Sequence, residues 1–259
     1  MPHEDEYHDS MVALLEMIWG EGFMAPGCVG NLENLIGDLE IRDQRVLDYG
    51  CGVGGPAMHL AQSYGARVVG IDIEPDLVER ARSRAAARDL GGRVEFVLVE
   101  PGPLEFPDES FDIVVSSGAF TQIDNKRELF AECFRVLRPG GTFTCYDWMK
   151  PPGEYSEDML YWIELEGLTY AMRTPQHHEE ALHDVGFIDV AVDDRSEWYR
   201  REAHVEYEKM RTDLYSEMVS LLGADQADHF VENWRMLTVV CDKGEMLQVY
   251  CRGTKPTDS

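Results

Sequence analysis

Residues 46–56 read Val-Leu-Asp-Tyr-Gly-Cys-Gly-Val-Gly-Gly-Pro, an apolar run that ends in a cluster of glycines. Glycines let the main chain turn sharply and approach a ligand where a Cβ would collide. The pattern of apolar residues predicts a strand at Arg45–Tyr49 before the cluster and a helix at residues 57–64 after it. This order is typical of an α/β sheet that holds a nucleotide-type cofactor at its first strand-to-helix turn.

Two acidic residues narrow the choice of cofactor. A second predicted strand, residues 67–71, is followed by Asp72, whose carboxylate is placed to accept hydrogen bonds from a ribose diol. Residues 50–55 formally satisfy the G-x-G-x-x-G pattern, so a nicotinamide or flavin enzyme is one alternative. Asp48 favours another class, because its carboxylate would repel a pyrophosphate but can pair with the cationic amino acid end of S-adenosylmethionine.

The glycine cluster also carries a family resemblance. Residues 48–54 read Asp-Tyr-Gly-Cys-Gly-Val-Gly, which resembles the D-x-G-x-G-x-G motif of class I S-adenosylmethionine-dependent methyltransferases. Leu-Arg-Pro-Gly-Gly at residues 137–141 resembles the turn before a later strand of the same family. The resemblance implies an α/β, Rossmann-like fold, with a mostly parallel seven-stranded sheet, helices on both faces, a helical cap, and S-adenosylmethionine as cofactor.

Strand-like and helix-like segments alternate beyond the glycine cluster, as a doubly wound sheet requires. Strands are predicted at residues 93–99, 111–115, 142–146, 188–192 and 246–252, helices at 126–137 and Pro175–Val185, and a turn at 138–141. The resemblance implies that the last strand is antiparallel to its neighbour.

The 259 residues contain no linker-like stretch, which predicts a single domain over residues 1–259. Within it we expect an N-terminal helical lid, a cofactor-binding core, a cap insertion with returning sheet elements, and a C-terminal strand and tail. Their boundaries are predicted at 1–40, 41–149, 150–245 and 246–259. The long aromatic stretch from residue 150 is expected to cover the edge of the sheet where ligands bind.

The charge of the chain limits its partners. Twenty-three basic and 49 acidic residues give a net charge of −26, which argues against nucleic acid, anionic membranes and strongly anionic substrates. A solvated acidic surface is the simplest interpretation. A salt-rich cytoplasm and a cationic substrate are both compatible with it.

The six cysteines lack C-x-x-C spacing, which predicts reduced thiols in a cytoplasmic protein and no metal site. The side chains of the adjacent residues His177 and His178 would point in different directions on a helix, so we expect them on a solvated surface.

The N-terminus has no signal segment and no apolar run is long enough for membrane insertion. We expect a monomer or homodimer whose partner is a small-molecule methyl acceptor.

A subgroup resemblance spans nearly the whole chain. Tyr7, the Trp-Gly-Glu-Gly-Phe phrase at 19–23, Trp198, Trp234 and residues 250–255 resemble corresponding parts of phosphoethanolamine N-methyltransferases. Their catalytic tyrosine and histidine correspond here to Tyr7 and Gln122, and glutamine is no general base at neutral pH.

The acceptor-binding residues of that subgroup are also replaced. An amine-binding aspartate corresponds to Gly118 and a phosphate-binding arginine to Leu168. Together with the charge, these replacements disfavour phosphoethanolamine and favour N-methylation of a small non-phosphorylated amine.

A second resemblance supports an alternative. Cys-Gly-Val-Gly-Gly-Pro at 51–56, Tyr-Asp-Trp at 146–148 and the acidic segment 163–165 resemble sterol C-methyltransferases, which implies C-methylation of an isoprenoid or sterol-like substrate. An O- or S-methyltransferase and a catalytically decayed S-adenosylmethionine-binding protein are further alternatives.

The resemblance assigns a role to each candidate site residue. Donor-binding residues are Asp48, Gly50, Gly52 and Gly54 at the methionine end, Asp72 and Ile73 at the ribose, Glu100 near the adenine, and Ser116, Tyr7 and Gly27 completing the pocket.

For the acceptor, Tyr7 is expected to orient the nucleophile with Gln122 as its hydrogen-bonding partner. Asp147, Trp148, Tyr170 and Trp198 are predicted to form an aromatic and acidic box for a cationic amine. The competing interpretation is that these aromatic residues are the core of the cap.

Overall fold

The computed structural model describes residues 7–257, which contain one seven-stranded sheet. Its strands are β1 (Arg45–Tyr49), β2 (Arg67–Asp72), β3 (Val94–Leu98), β4 (Phe111–Ser117), β5 (Leu137–Met149), β6 (Ile188–Asp194) and β7 (Leu247–Thr254), in the order β3-β2-β1-β4-β5-β7-β6. Strands β1 to β5 are parallel, and β7 runs antiparallel to both β5 and β6. The predicted mostly parallel seven-stranded sheet, with its last strand antiparallel to its neighbour, is confirmed.

Helices cover both faces of this sheet. They are α1 (Asp9–Trp19), α2 (Cys28–Ile36), α3 (Gly55–Tyr64), α4 (Pro75–Ala87), α5 (Lys126–Val136), α6 (Glu157–Glu166), α7 (Pro175–Val185), α8 (Ser196–Arg211), α9 (Tyr215–Leu222) and α10 (Ala224–Asp242). Helices α5 and α7 pack on one face, and the remaining helices pack on the other. We call the second face the cap face.

The central strands are apolar throughout because both of their faces are buried. In β1, Val46 packs into the core of the cap face and Leu47 into the core beneath α5 and α7.

Local sequence signals fix where the covering helices begin and end. Helix α7 begins at Pro175 after Thr174, whose hydroxyl accepts a hydrogen bond from the His177 amide at 3.1 Å, and Gly186 ends it in a left-handed conformation.

The predicted turn at 138–141 lies inside strand β5. Phe111 pairs with Leu137 and Ile113 with Thr142, so the intervening residues form an irregular insertion in the ladder. Strand β5 also continues beyond Tyr146, because its last residues pair with β7 as far as the pair Met149 and Leu247. Because residues of a strand alternate between the two faces of the sheet, this extension decides which of residues 147–149 project towards the cap face.

None of the helices within residues 7–257 is long and apolar enough to cross a membrane. All six cysteines are free thiols.

Candidate functional site

The glycine loop after β1 is closely packed at the carboxyl edge of the sheet. Gly50 has φ +76°, and a Cβ there would lie 2.2 Å from the Cβ of Ala119. Gly54 has φ +88°, and its Cβ would lie 2.5 Å from Cζ of Phe96. Both positions therefore require glycine for conformation and for space.

Asp72 ties the end of β2 to this loop. Its Oδ2 accepts a hydrogen bond from the Gly52 amide at 2.8 Å, and its Oδ1 accepts one from the Glu74 amide at 3.1 Å. Burial raises the pKa of Asp72, and these backbone hydrogen bonds oppose the shift. Each carboxylate oxygen keeps a further lone pair, which suits a diol donor.

Asp48 is fully buried directly beneath the loop, and neither of its oxygens has a hydrogen-bond partner among residues 7–257. Burial raises its pKa to about 7, the charge of Asp72 acts in the same direction, and the nearby backbone amide of Ala57 opposes the shift. A buried carboxyl group this poor in hydrogen bonds is costly, and a cationic group would stabilise its ionised form. The chemistry of this position therefore fits the amino acid end of S-adenosylmethionine.

An apolar surface lies next to Asp72 at the ends of β2 and β3. Ile73 is 52% exposed and Leu98 is 43% exposed, and Leu98 pairs with Asp72 in the ladder. Two neighbouring exposed aliphatic side chains suit the flat face of an adenine ring. Glu100 is exposed two residues beyond Leu98. Sequence reasoning missed Leu98, although its position at the end of β3 was a usable signal.

Ser116 is buried in β4, and its hydroxyl donates a hydrogen bond to the Tyr49 carbonyl at 2.8 Å. It therefore joins β4 to β1 beneath the loop. The next residue, Ser117, has a buried hydroxyl oxygen without a partner in the described part of the chain.

The N-terminal segment lies over the glycine loop. The Gly22 carbonyl accepts a hydrogen bond from the Gly55 amide at 3.0 Å, at the first residue of α3. A Cβ on Gly52 would lie 3.1 Å from Sδ of Met24. A Cβ on Gly27 would lie 2.6 Å from the Trp198 ring, so these two predicted site residues are in contact.

The predicted catalytic pair occupies two different environments. Tyr7 is half-buried and packs against Val12, Val53 and Leu77, and it lies close enough to Tyr170 to influence its pKa. Gln122 is exposed at the end of a short 3₁₀ helix, Phe120–Gln122.

Five aromatic side chains form a continuous group on the cap face, which we call the cap aromatic cluster. Its members are Trp148, Trp162, Tyr170, Trp198 and Tyr199. The Trp148 ring centroid lies 5.6 Å from that of Trp162, 6.0 Å from Tyr170 and 6.0 Å from Tyr199. Trp162 and Tyr170 are parallel at 5.3 Å, and Trp198 lies 6.2 Å from Tyr199. Sequence reasoning missed Trp162 and Tyr199.

The acid that accompanies this cluster is Glu166. Its Oε2 accepts a hydrogen bond from the Tyr170 hydroxyl at 2.8 Å. Burial raises the pKa of Glu166, and the hydrogen bonds from Tyr170 and Asn233 oppose the shift.

The structure removes Asp147 from the predicted aromatic and acidic box. Its side chain projects from the face of β5 opposite to that of Trp148. It is fully buried, its Oδ1 accepts a hydrogen bond from the Thr121 hydroxyl, and its Oδ2 lies 3.9 Å from Nζ of Lys126 and 3.8 Å from Nε2 of His178. Successive residues of a strand point to opposite faces, so Asp147 and Trp148 cannot line one box.

His178 also differs from expectation. It is fully buried beside Asp147, with Nδ1 3.1 Å from the Thr174 carbonyl, whereas His177 is exposed. Lys126 is buried too, and its Nζ donates hydrogen bonds to the carbonyls of Phe120 and Ile123. These polar groups support the loop that carries Gln122 from below.

Comparisons with known proteins agree with this geometry. Residues 46–141 match a family described as a methyltransferase domain. Phosphoethanolamine N-methyltransferase of Triticum aestivum is 28% identical over 251 residues, 96% of this chain and 49% of that protein. Sterol 24-C-methyltransferase of Yarrowia lipolytica is 36% identical over 167 residues, 60% of this chain and 44% of that protein. The chain thus spans about half the length of these relatives.

Two solved structures share the fold. Haemonchus contortus phosphoethanolamine N-methyltransferase 2, in complex with phosphomonomethylethanolamine and S-adenosylhomocysteine, has a TM-score of 0.89 and 24% identity, covering 97% of this chain and 59% of that chain. A putative sarcosine dimethylglycine methyltransferase from Galdieria sulphuraria has a TM-score of 0.83 and 18% identity, covering 96% of this chain and 99% of that chain.

Proposed function

We propose that this chain, which belongs to the class I S-adenosylmethionine-dependent methyltransferases, transfers a methyl group to the nitrogen of a small non-phosphorylated amine. The observation that carries the choice of acceptor is the cap aromatic cluster with Glu166 at its side.

The donor half of the proposal rests on the carboxyl edge of β1 and β2. Asp48 would pair with the cationic methionine end, Asp72 would hold the ribose hydroxyls, and Ile73 with Leu98 would contact the adenine. The glycine loop lets the backbone approach the ligand. S-adenosylmethionine, when bound, supplies a sulfonium methyl group; an aligned lone pair would attack that methyl carbon as the C–S bond breaks and S-adenosylhomocysteine leaves.

The acceptor half rests on charge and on aromatic faces. Within residues 7–257 no Lys or Arg side chain forms a hydrogen bond or cation–π contact with the five rings of the cluster. The acid beside them, Glu166, carries the opposite charge to an ammonium group. Each desolvated contact between a cation and a ring contributes about 0.5–2 kcal/mol, so this surface favours an amine over a phosphate ester.

The residues of the chain would act mainly by alignment and by exclusion of water. Well-oriented reactants gain on the order of 7 kcal/mol or more from positioning alone. Tyr7, packed near Tyr170, is proposed to orient the amine, with Gln122 as a hydrogen-bonding partner. Because glutamine takes no proton, the amine must present a free lone pair, and we assign to the Glu166 carboxylate the removal of a proton from an ammonium acceptor.

C-methylation of an isoprenoid is the second candidate, and the similarity to sterol 24-C-methyltransferases favours it. An aromatic surface also suits a carbocation. Against this candidate, several indole and hydroxyl groups of the cluster have no partner within the described residues. An apolar chain would leave each of them unsatisfied, at a cost of about 1–3 kcal/mol.

The monomeric or homodimeric state and the cytoplasmic location remain predictions of the sequence. Light scattering coupled to size-exclusion chromatography would measure the first.

The test is formation of S-adenosylhomocysteine, followed by mass spectrometry, with amines, phosphobases, alcohols, thiols and isoprenoids as acceptors, at low and at high salt. Gly50→Val is the matched control, since its side chain would collide with Ala119 and block donor binding. We expect turnover with non-phosphorylated amines only. Turnover restricted to isoprenoids would move the reaction to carbon, and tight donor binding without any turnover would identify a decayed enzyme.

A further inference from the structure

Four side chains on the cap face carry buried polar atoms that no residue among 7–257 satisfies. They are Nε1 of Trp148, Nε1 of Trp162, the hydroxyl of Tyr199, and both amide atoms of Gln248. Trp162, Tyr199 and Gln248 are completely inaccessible to solvent. Buried polar groups are almost always paired in proteins, so a concentration of unpaired ones at one place points to a ligand.

These side chains are neighbours in the fold. Gln248 in β7 lies directly opposite Trp148 in β5, and residues opposite each other in an antiparallel pair project from the same face. The Trp148 ring contacts those of Trp162 and Tyr199.

The first turn of α8, which carries Tyr199, is fixed on the same strand. The Arg195 amide donates a hydrogen bond to the Gln248 carbonyl at 2.8 Å, and the Gln248 amide donates one to Oγ of Ser196 at 3.1 Å. The start of the helix that carries Tyr199 is therefore fixed to the backbone of Gln248, next to Trp148 in the sheet.

The chemistry of this group is donor-rich and neutral. Two indole N–H groups, one phenol O–H group and one amide NH₂ group can donate, and none of these side chains carries a charge. A phosphate dianion is usually bound with help from arginine or lysine, whereas a carboxylate whose charge is offset by an ammonium group in the same molecule has less need of them.

We propose that Gln248, Trp148, Trp162 and Tyr199 recognise a carboxylate on the methyl acceptor, which is therefore an amino acid with its amine a short distance from the carboxylate. The inference rests on the proposed function and specifies its substrate. The aromatic faces and Glu166 receive the ammonium end, and the unpaired N–H and O–H groups receive the carboxylate end.

The first experiment compares two acceptors that differ only at this end. N-methylglycine and N-methylethanolamine have the same amine and the same length, but only the first carries a carboxylate. We expect kcat/KM to be at least about tenfold higher for the amino acid, because a hydrogen bond to a charged group discriminates by about that factor.

The second experiment replaces Gln248 by leucine, with Gln226→Leu on the exposed start of α10 as the matched control. Gln248→Leu should raise KM for N-methylglycine about tenfold or more, leave KM for N-methylethanolamine within about twofold, and leave the Kd for S-adenosylmethionine unchanged. It should not lower the melting temperature, because it removes unpaired polar atoms from the interior. A merely structural glutamine would affect both acceptors alike.

A binding measurement separates failure of this inference from failure of the proposed function. Trimethylglycine has a quaternary ammonium group, so it cannot react but presents the same carboxylate, and calorimetry with S-adenosylhomocysteine present reports its binding. Binding that Gln248→Leu weakens, without turnover of any amine, would refute the methyltransferase proposal and keep the carboxylate site. Turnover of amines with equal efficiency whether or not they carry a carboxylate would refute the carboxylate site alone. Absence of both binding and turnover would refute both.

Discussion

Binding of S-adenosylmethionine should weaken as the pH falls below 7, because Asp48 must be ionised to pair with the cationic end of the ligand. Burial raises the pKa of Asp48 to about 7, with Asp72 adding to the shift, so the group is about half protonated at pH 7 in the free protein. A positive ligand interacts favourably with the carboxylate and not with the neutral acid. Binding at lower pH must therefore also remove a proton.

The magnitude follows from the pKa. For a pKa of about 7, the ionised fraction falls from about one half at pH 7 to about one eleventh at pH 6, so the apparent Kd should rise roughly fivefold over that unit. Calorimetry in two buffers of different ionisation enthalpy should detect the release of about half a proton per ligand at pH 7.

Asp48→Asn is the matched control for this measurement. The α-amino group of the ligand also titrates, near pH 8, but it does so equally with both proteins. The variant should bind more weakly at pH 7 and lose the fivefold dependence between pH 7 and pH 6. An unchanged pH dependence in Asp48→Asn would refute the role assigned to this carboxylate.

The raised pKa of Asp48 also makes the folding stability depend on pH. Donor binding should strengthen as the pH rises, whereas the free energy of unfolding of the free protein should fall. A carboxyl group whose pKa rises from 3.8 to about 7 on folding contributes fully below pH 3.8, and its contribution is lost as the pH rises to 7. The shift of about 3 units corresponds to about 4 kcal/mol as an upper limit. Without ligand, Asp48→Asn should therefore raise the free energy of unfolding at pH 8 and change it little at pH 4, as urea titrations would measure.

Three further substitutions test the elements around the site. Lys126→Met should lower the free energy of unfolding by about 3–5 kcal/mol in urea titrations, because it removes one partner of the buried pair with Asp147. Trp19→Phe removes the 2.7 Å hydrogen bond to Glu206 and should cost about 1.5–3 kcal/mol by the same assay, while weakening the attachment of α1 to α8. Trp148→Leu should raise the acceptor KM about twofold to thirtyfold and leave the Kd of S-adenosylmethionine unchanged. An equal rise in the acceptor KM and the donor Kd would contradict a role of Trp148 in acceptor binding.

The proposed donor half of the site could be located from the sequence because its signals are local. The glycines at 50, 52 and 54 adopt positive φ values and pack against neighbouring chain, so their type follows from backbone geometry. Asp48 and Asp72 stand at strand ends, which an apolar run locates within a residue or two.

The acceptor half was less predictable because it depends on register. The insertion at residues 138–141 sets the phase of β5, and a shift of one residue exchanges the faces of a strand. The sequence therefore grouped Asp147 with Trp148, although they project in opposite directions. Trp162 and Tyr199 lie on helices whose orientation follows from tertiary packing. Gln248 did carry a signal, since it is a polar residue between the apolar residues Leu247 and Val249.

The order of the strands also bears on the size of the proposed acceptor. The glycine loop follows β1, the cap aromatic cluster begins at Trp148 on β5, and only β4 lies between these two strands. Two strand spacings amount to about 10 Å. Strand β4 pairs with β5 only as far as Ser117 and Tyr146, so Trp148 extends two residues beyond that pair, over the edge where the donor would bind. If the proposed function is right, the reacting end of the donor and the amine would meet within this span, under the N-terminal segment that contacts the glycine loop at Gly22, which favours an acceptor of a few heavy atoms over one with a long apolar body.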